Sequence, residues 1–252
     1  EHYLVEYQYR VLPCAMPEED WESYKAYSKE IVQLQHALEQ EDDEKDRLRL
    51  QQRIEGRYRD RAKLLKKNDQ KVQTLQTIFD EISPSARVLI YGDDLNHLDE
   101  LGKELDRMGK YYFKYTGELD AQKERPTILK EFRQGIRKIL LAVGCLDEGI
   151  DIPACDVAVF ISSSTSERQF IQRRGRVLRI APGKTTAWIY DYLVYPILPA
   201  STSDEERRMA LSMIDAQYRR INLMVDDAIN GIREHQKLDQ FLSQRKLNPY
   251  DF

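Results

Sequence analysis

Between Arg87 and Tyr192 the chain switches repeatedly between two periodicities, and that switching leaves few folds open. Apolar, β-prone runs occur at Arg87–Tyr91, Tyr111–Tyr115, Lys138–Val143, Asp156–Ile161 and Thr185–Tyr192. Helical patterns fill three of the gaps, at Leu95–Met108, Ala121–Arg133 and Glu167–Ile180. Strands that are apolar on both faces, separated by helices of about 10–15 residues, belong to parallel sheets covered on both sides. Right-handed crossovers then predict an α/β fold, a doubly wound parallel sheet with helices on both faces. Ligands of such sheets sit beyond the carboxyl ends of the strands.

Upstream, residues 3–12 alternate, with Tyr3, Val5, Tyr7, Tyr9 and Val11 on one face, which predicts a half-buried strand ended by Pro13. A helix is expected from Pro17 to about Leu38. Residues 39–71 are polar: Glu39 to Glu44 holds five acids, and Lys45 to Lys71 holds eleven Lys or Arg against four acids. Two readings fit them, a solvated helix or helical hairpin, and a basic helix that touches nucleic acid. A further helix is expected from Val72 to Ile82, closed by Ser83-Pro84, and a long helical segment from Asp204 to Leu242. The expected organisation is a lead-in strand and helix (1–38), a charged helical insertion with a connecting helix (39–83), the sheet domain (84–200) and a helical extension (201–252).

At 252 residues the chain is one large domain, or one with helical additions. A net charge of −4 excludes a protein that is basic throughout, but not a local basic patch. The three cysteines, Cys14, Cys145 and Cys155, are odd in number and form no CxxC pair. That pattern predicts a reducing compartment, the cytoplasm or, in a eukaryote, the nucleus. Cys145 reads as a small apolar filler near a strand end. His2, His36, His97 and His235 have no metal-ligand spacing, so no metal site is expected. No apolar run approaches the roughly 20 residues of a membrane span, and no basic-then-apolar leader opens the chain. The chain starts at Glu1 rather than a methionine, as a segment of a longer polypeptide would.

The strongest chemical signal is Gln169–Arg179, QFIQRRGRVLR. Ser166 and Gln169 have capping-box spacing, so a helix is expected from Glu167. At about 100° per residue, Arg168, Gln172, Arg176 and Arg179 fall within about 80° of one another. From Arg168 to Lys184 there are six cations, and no acid follows Glu167 before Asp191. Solvated helix faces usually mix signs, because like charges three or four apart cost roughly 0.2–0.5 kcal/mol per pair. Gly175 costs about 1 kcal/mol more. A closely approaching anion accounts for both, and arginine's planar fork suits phosphate. A second signal is Leu140–Pro153, LLAVGCLDEGIDIP, where an apolar strand runs into Gly144, Gly149 and Asp151. Glycines there admit a ligand to the backbone, although glycines at strand ends also simply make turns.

Glu148–Pro153 (EGIDIP) and Gln172–Arg179 (QRRGRVLR) together resemble motifs V and VI of the superfamily 2 helicases and translocases. Val88–Asp94 (VLIYGDD) resembles motif IV, and Tyr115-Thr-Gly-Glu-Leu, Gln122–Arg125 and Phe132–Gly135 resemble the segment between motifs IV and V. The resemblance covers about residues 84–195, the second RecA-like lobe. The strand and helix at 3–34 resemble the lead-in to that lobe in the branch of the repair helicase XPB and the restriction-type helicases. Gln172, where the DEAD-box branch has histidine, departs from that branch.

The resemblance implies roles. Arg176 and Arg179 would reach the γ-phosphate of ATP, bound with Mg²⁺ mainly by a first lobe, and Gln172 would contact the phosphate or its attacking water. Gly149 and Asp151, with Gly175, would border the nucleotide. Gly92, Asp93, Thr116, Gly117 and Gly144 would meet nucleic acid, DNA in the expected branch, with Thr116-Gly117 just ahead of a helix start. Val143 stands where the family commonly has threonine, which puts that hydroxyl contact in doubt. The implied partners are DNA and the first RecA-like lobe of the same polypeptide, with residues 39–71 or 204–242 open to a protein partner.

A complete motor also needs a GxxxxGK[ST] phosphate loop and a DExH-type Mg²⁺ site. Ala181–Thr186 (APGKTT) is a decoy: position 178 is leucine rather than glycine, and the segment leads from helix to strand, the reverse of a P-loop. Half an ATPase site is therefore expected, and no turnover by this chain alone. A degenerate lobe that only binds nucleic acid or protein is the alternative. A Rossmann-type transferase would need a glycine-rich first turn, and Tyr91–Asn96 has one glycine. Tyr111, Tyr112 and Tyr115 have strand spacing and are expected in the core and rim, with base stacking by one of them as the other reading.

Overall fold

The computed structural model describes residues 4–117, 119, 123–143, 155–162 and 167–249, with residues 167–170 and 173 described by backbone alone. The strands are β1 (Glu6–Met16), β2 (Val88–Tyr91), β3 (Phe113–Tyr115), β4 (Ile139–Ala142), β5 (Val157–Phe160) and β6 (Thr186–Pro196). They form one sheet in the order β1-β6-β5-β2-β4-β3, and every pairing is parallel. The helices are α1 (Glu18–Gln40), α2 (Glu44–Lys66), α3 (Asp69–Gln73), α4 (Leu75–Glu81), α5 (Leu95–Arg107), α6 (Glu124–Arg133), α7 (Glu167–Val177), α8 (Asp204–Val225) and α9 (Gly231–Ser243).

Alternation along the strands divides the core between two faces. Leu89, Tyr91, Leu140, Ala158 and Ile189 meet Phe132 of α6, Val177 of α7 and Ile214 and Tyr218 of α8. Val88, Ile90, Leu141 and Val159 meet Ile78 of α4 and Leu98, Leu101 and Leu105 of α5. Each fully buried Val, Leu, Ile or Phe among them stabilises by about 1.5–3 kcal/mol, so strands apolar on both faces require helices on both. The doubly wound α/β expectation holds. Cys14 and Cys155 are buried thiols in opposite halves of this core. Burial pushes them up to about 11 and about 12 respectively.

Pro13 does not end the first strand. β1 continues to Met16, with Pro13 opposite Leu193. The reason is its place at the sheet edge. Tyr7 O accepts from Ile229 N, and Tyr9 N and O bond the Asn230 side chain, so odd-numbered backbone groups face away from β6. Pro13 shares that parity, and its missing N–H costs no ladder bond.

The charged segment is a hairpin rather than a detached helix. α2 runs antiparallel to α1, with Arg57 on Glu30 at 2.6 Å and Arg47 on the carbonyls of Leu38 and Glu41. The helix expected over 72–82 starts earlier and breaks at Thr74 into α3 and α4. The helical tail is likewise two helices, split at 226–230 where the chain crosses the edge of β1. Tyr115 is buried as expected, but Tyr111 is 90% exposed, because β3 starts only at Phe113. No described helix is long and apolar enough to cross a membrane.

Candidate functional site

Helix α7 leaves the carboxyl side of β5 and runs back to the start of β1. There Leu4 bridges Arg179 and Val5 N donates to Leu178 O at 2.7 Å. On this flank Gln172, Gly175, Arg176 and Arg179 line a single open concavity of about 860 Å³ with Leu4 and Ile180. Arg174, on the other side of the helix, turns inward. Its Nη1 donates to Leu223 O at 3.1 Å and to Asp227 Oδ2 at 2.9 Å. Among the described side chains, Arg174 thus anchors α8 while Arg176, and Arg179 just past the helix, line the concavity. A Cβ built on Gly175 meets nothing within 4 Å, and its φ is not positive. The described residues therefore give no steric reason for glycine there. Planar guanidinium groups, an amide and open backbone are a donor set that fits a polyphosphate.

The other expected site residues do not join this concavity. Gly92, Asp93, Thr116 and Gly117 follow β2 and β3 at the carboxyl edge of the sheet, with β4 between those strands. Gly92 has a packing reason, since a Cβ there would come within 2.6 Å of Leu98 Cδ2. Thr116 is buried and Gly117 exposed, with Arg125 Nη2 donating to Gly117 O at 2.8 Å. The helix that follows is described from Glu124 rather than directly after Gly117. Gly144, Gly149 and Asp151 lie outside the described residues.

A polar cluster that sequence reasoning missed closes the carboxyl edge. Lys66 pairs with Asp93 at 2.8 Å and Lys67 with Asp94 at 2.6 Å. Asp94 also caps α5 by accepting from His97 N at 2.9 Å. The Lys67 ammonium, with that cap bond, holds the Asp94 carboxyl below its usual range. His97 Nδ1 accepts from Asp93 N at 3.2 Å and sits 3.1 Å from Ser162 Oγ. Burial pushes its imidazole down to about 4. Lys71 is buried too, donating to Leu65 O at 2.6 Å and Ile161 O at 2.9 Å. Burial, then the Arg220 charge, lowers it to about 7. The available signal was the Asp93-Asp94 pair following an apolar strand, which needs cations from elsewhere; Lys66-Lys67 supplies them. Among the described residues no cluster of His, Cys, Asp and Glu could hold a metal ion.

Residues 70–181 match the helicase conserved C-terminal domain. UvrABC system protein B of Coxiella burnetii is 28% identical over 133 residues, 49% of this chain and 20% of that protein. DNA 3'-5' translocase XPB2 of Sulfurisphaera tokodaii is 41% identical over 56 residues, 22% of this chain and 13% of that protein. The chain thus spans a fifth or less of these relatives. The C-terminal part of the Fun30 ATPase domain shares the fold, with a TM-score of 0.56 at 12% identity over 86% of this chain and 99% of that one. What these comparisons share with the chain is a RecA-like α/β fold, and over residues 70–181 the likeness is to the C-terminal lobe of superfamily 2 helicases.

Proposed function

We propose that this chain is the second motor lobe of an ATP-dependent superfamily 2 DNA helicase or translocase, working against a first RecA-like lobe of the same polypeptide. The observation that carries the reading is the gathering of Gln172, Gly175, Arg176 and Arg179 on one open concavity while Arg174 is spent on Asp227. When bound, ATP with Mg²⁺ supplies the phosphoryl group to be transferred. Arg176 and Arg179 donate to its terminal oxygens and stabilise the charge that develops there, an effect worth on the order of 10³–10⁵ in rate. Gln172 orients the attacking water, Gly175 lets the phosphate close on the helix, and Gly149 and Asp151 border the ribose. Closure of the lobes brings the arginines into place, and reopening advances the lobe along nucleic acid.

Gly92, Asp93, Gly117 and Gly144 form this lobe's side of the nucleic-acid groove. Burial of Thr116 leaves Gly117 to offer its backbone to a phosphate. DNA is the favoured polymer because a relative at 41% identity is a DNA translocase. The buried thiols of Cys14 and Cys155 suit a reducing interior, cytoplasmic or nuclear.

The test is ATPase activity of the longer protein. Arg176→Ala and Arg179→Ala should each lower turnover by orders of magnitude while the lobe stays folded. Unchanged turnover would remove the finger assignment. The chain alone should not turn over ATP, and activity matching that of the longer protein would refute the half-site.

A further inference from the structure

The α1–α2 hairpin sorts the cations of α2 by face. Arg53 and Arg57 reach Glu30 of α1, and Arg61 lies over the rings of Tyr24 and Tyr58. On an adjacent face, centred about 120° round from those three, Lys45, Arg49, Gln52, Gly56, Arg59 and Lys63 fall within an arc of about 80° at about 100° per residue. From Lys45 to Lys63 this stripe runs about 27 Å at 1.5 Å per residue. All six are outside the core, and no described carboxylate pairs with Lys45, Arg59 or Lys63. The acids nearest the stripe stand at its margins: Asp46 pairs with Arg49, Asp60 pairs with Arg57, and Glu55 lies to one side. Gly56 is mid-helix, and a Cβ there would meet nothing within 4 Å. At the foot of the stripe Lys66 and Lys67 are fixed on Asp93 and Asp94, beside the groove residues that follow β2.

We infer that this face of α2 is a second nucleic-acid contact, which extends the groove outward and holds the phosphate backbone of a duplex without reading its sequence. A solvated helix of a chain with net charge −4 gains nothing from a one-sign stripe, since like charges at this spacing repel. A polyanion removes that repulsion and releases its own counterions. The acid-rich Glu39–Glu44 turn closes the far end of the stripe and limits the track to the helix. The inference rests on the groove reading above, but not on the arginine fingers.

The experiment is fluorescence anisotropy of a labelled DNA duplex with this chain, without nucleotide, across a salt series. The variant Lys45→Gln/Arg59→Gln/Lys63→Gln should weaken binding at least tenfold at low salt. It should also flatten the log K against log salt slope by about 1 per cation removed, about 3 in all. The control Lys103→Gln/Arg208→Gln/Arg233→Gln removes the same charge from exposed positions on α5, α8 and α9 and should leave most of the affinity. Equal loss in both variants, or none in the first, overturns the inference, as does a wild-type chain that binds no duplex at low salt. Unchanged binding by the first variant would leave the groove reading intact, and the ATPase of Arg176→Ala reads the motor assignment separately.

Discussion

Arg220 on α8 lies against Asp191 on β6 with both side chains out of water: Nε is 3.1 Å from Oδ2 and Nη2 is 3.3 Å from Oδ1. Tyr9 of β1 donates its hydroxyl to the same Oδ2 at 2.8 Å, and burial beside that carboxylate holds the phenol well above its usual range. Three elements distant in sequence are joined through one carboxylate. Arg220→Met should cost about 3–5 kcal/mol, because it leaves that charge buried and uncompensated. Adding Asp191→Asn should recover part of the loss. Urea unfolding of the two variants measures both effects.

His97 makes the lobe sensitive to acid. Folded, it takes up its proton near 4, against 6.5 when exposed, so between those values the unfolded chain binds more protons. Stability should therefore fall as pH drops from 6.5 toward 4, by about 3 kcal/mol in all, and be unaffected by His97 above that window. Lys71 acts the same way at higher pH, with stability rising from about 7 toward its exposed value of 10.5. His97→Asn keeps an acceptor for Asp93 N–H and should flatten the acid limb of a urea-midpoint profile.

Gly231 admits no side chain. A Cβ there would lie 1.9 Å from Val225 O, at the break where Ile229 and Asn230 cover the open edge of β1. Gly231→Ala should destabilise by about 1–3 kcal/mol through the backbone shift it forces. Hydrogen exchange should locate the damage, with the Tyr9 amide losing protection first.

Arg174 and Arg176 are two residues apart and should fail differently. Arg174→Ala removes charge-assisted bonds to Leu223 O and Asp227 and should lower stability by about 1.5–3 kcal/mol. In the longer protein it should leave the ATPase rate per folded molecule nearly intact. Arg176→Ala should show the converse. Thermal melts alongside single-turnover ATPase separate the two.

The sheet was legible because each strand carries its burial in its own residues. Val88–Tyr91 is apolar at every position, and no neighbour is needed to see that both its faces are covered. Helix α7 was legible because no acid follows Glu167 in the sequence before Asp191. The polar closure at the carboxyl edge was not, since Lys66 and Lys67 read as two more charges in a charged run until the chain turns them onto Asp93 and Asp94. Lys71 reads as solvated for the same reason, yet it is buried, donating to the carbonyls of Leu65 and Ile161.

Taken alone, the amino-acid order determined the doubly wound parallel core, the identity of the arginine row and the glycine within it. These follow from periodicity and charge spacing over a few turns, distances at which the backbone itself fixes which residues share a face. Tertiary structure alone decided that Pro13 lies inside an edge strand, that the tail breaks to cover that edge, and which arginines face out. Those outcomes depend on hydrogen-bond and ion-pair partners as many as 222 residues away, between Tyr7 and Ile229, and no local pattern encodes a partner at that separation.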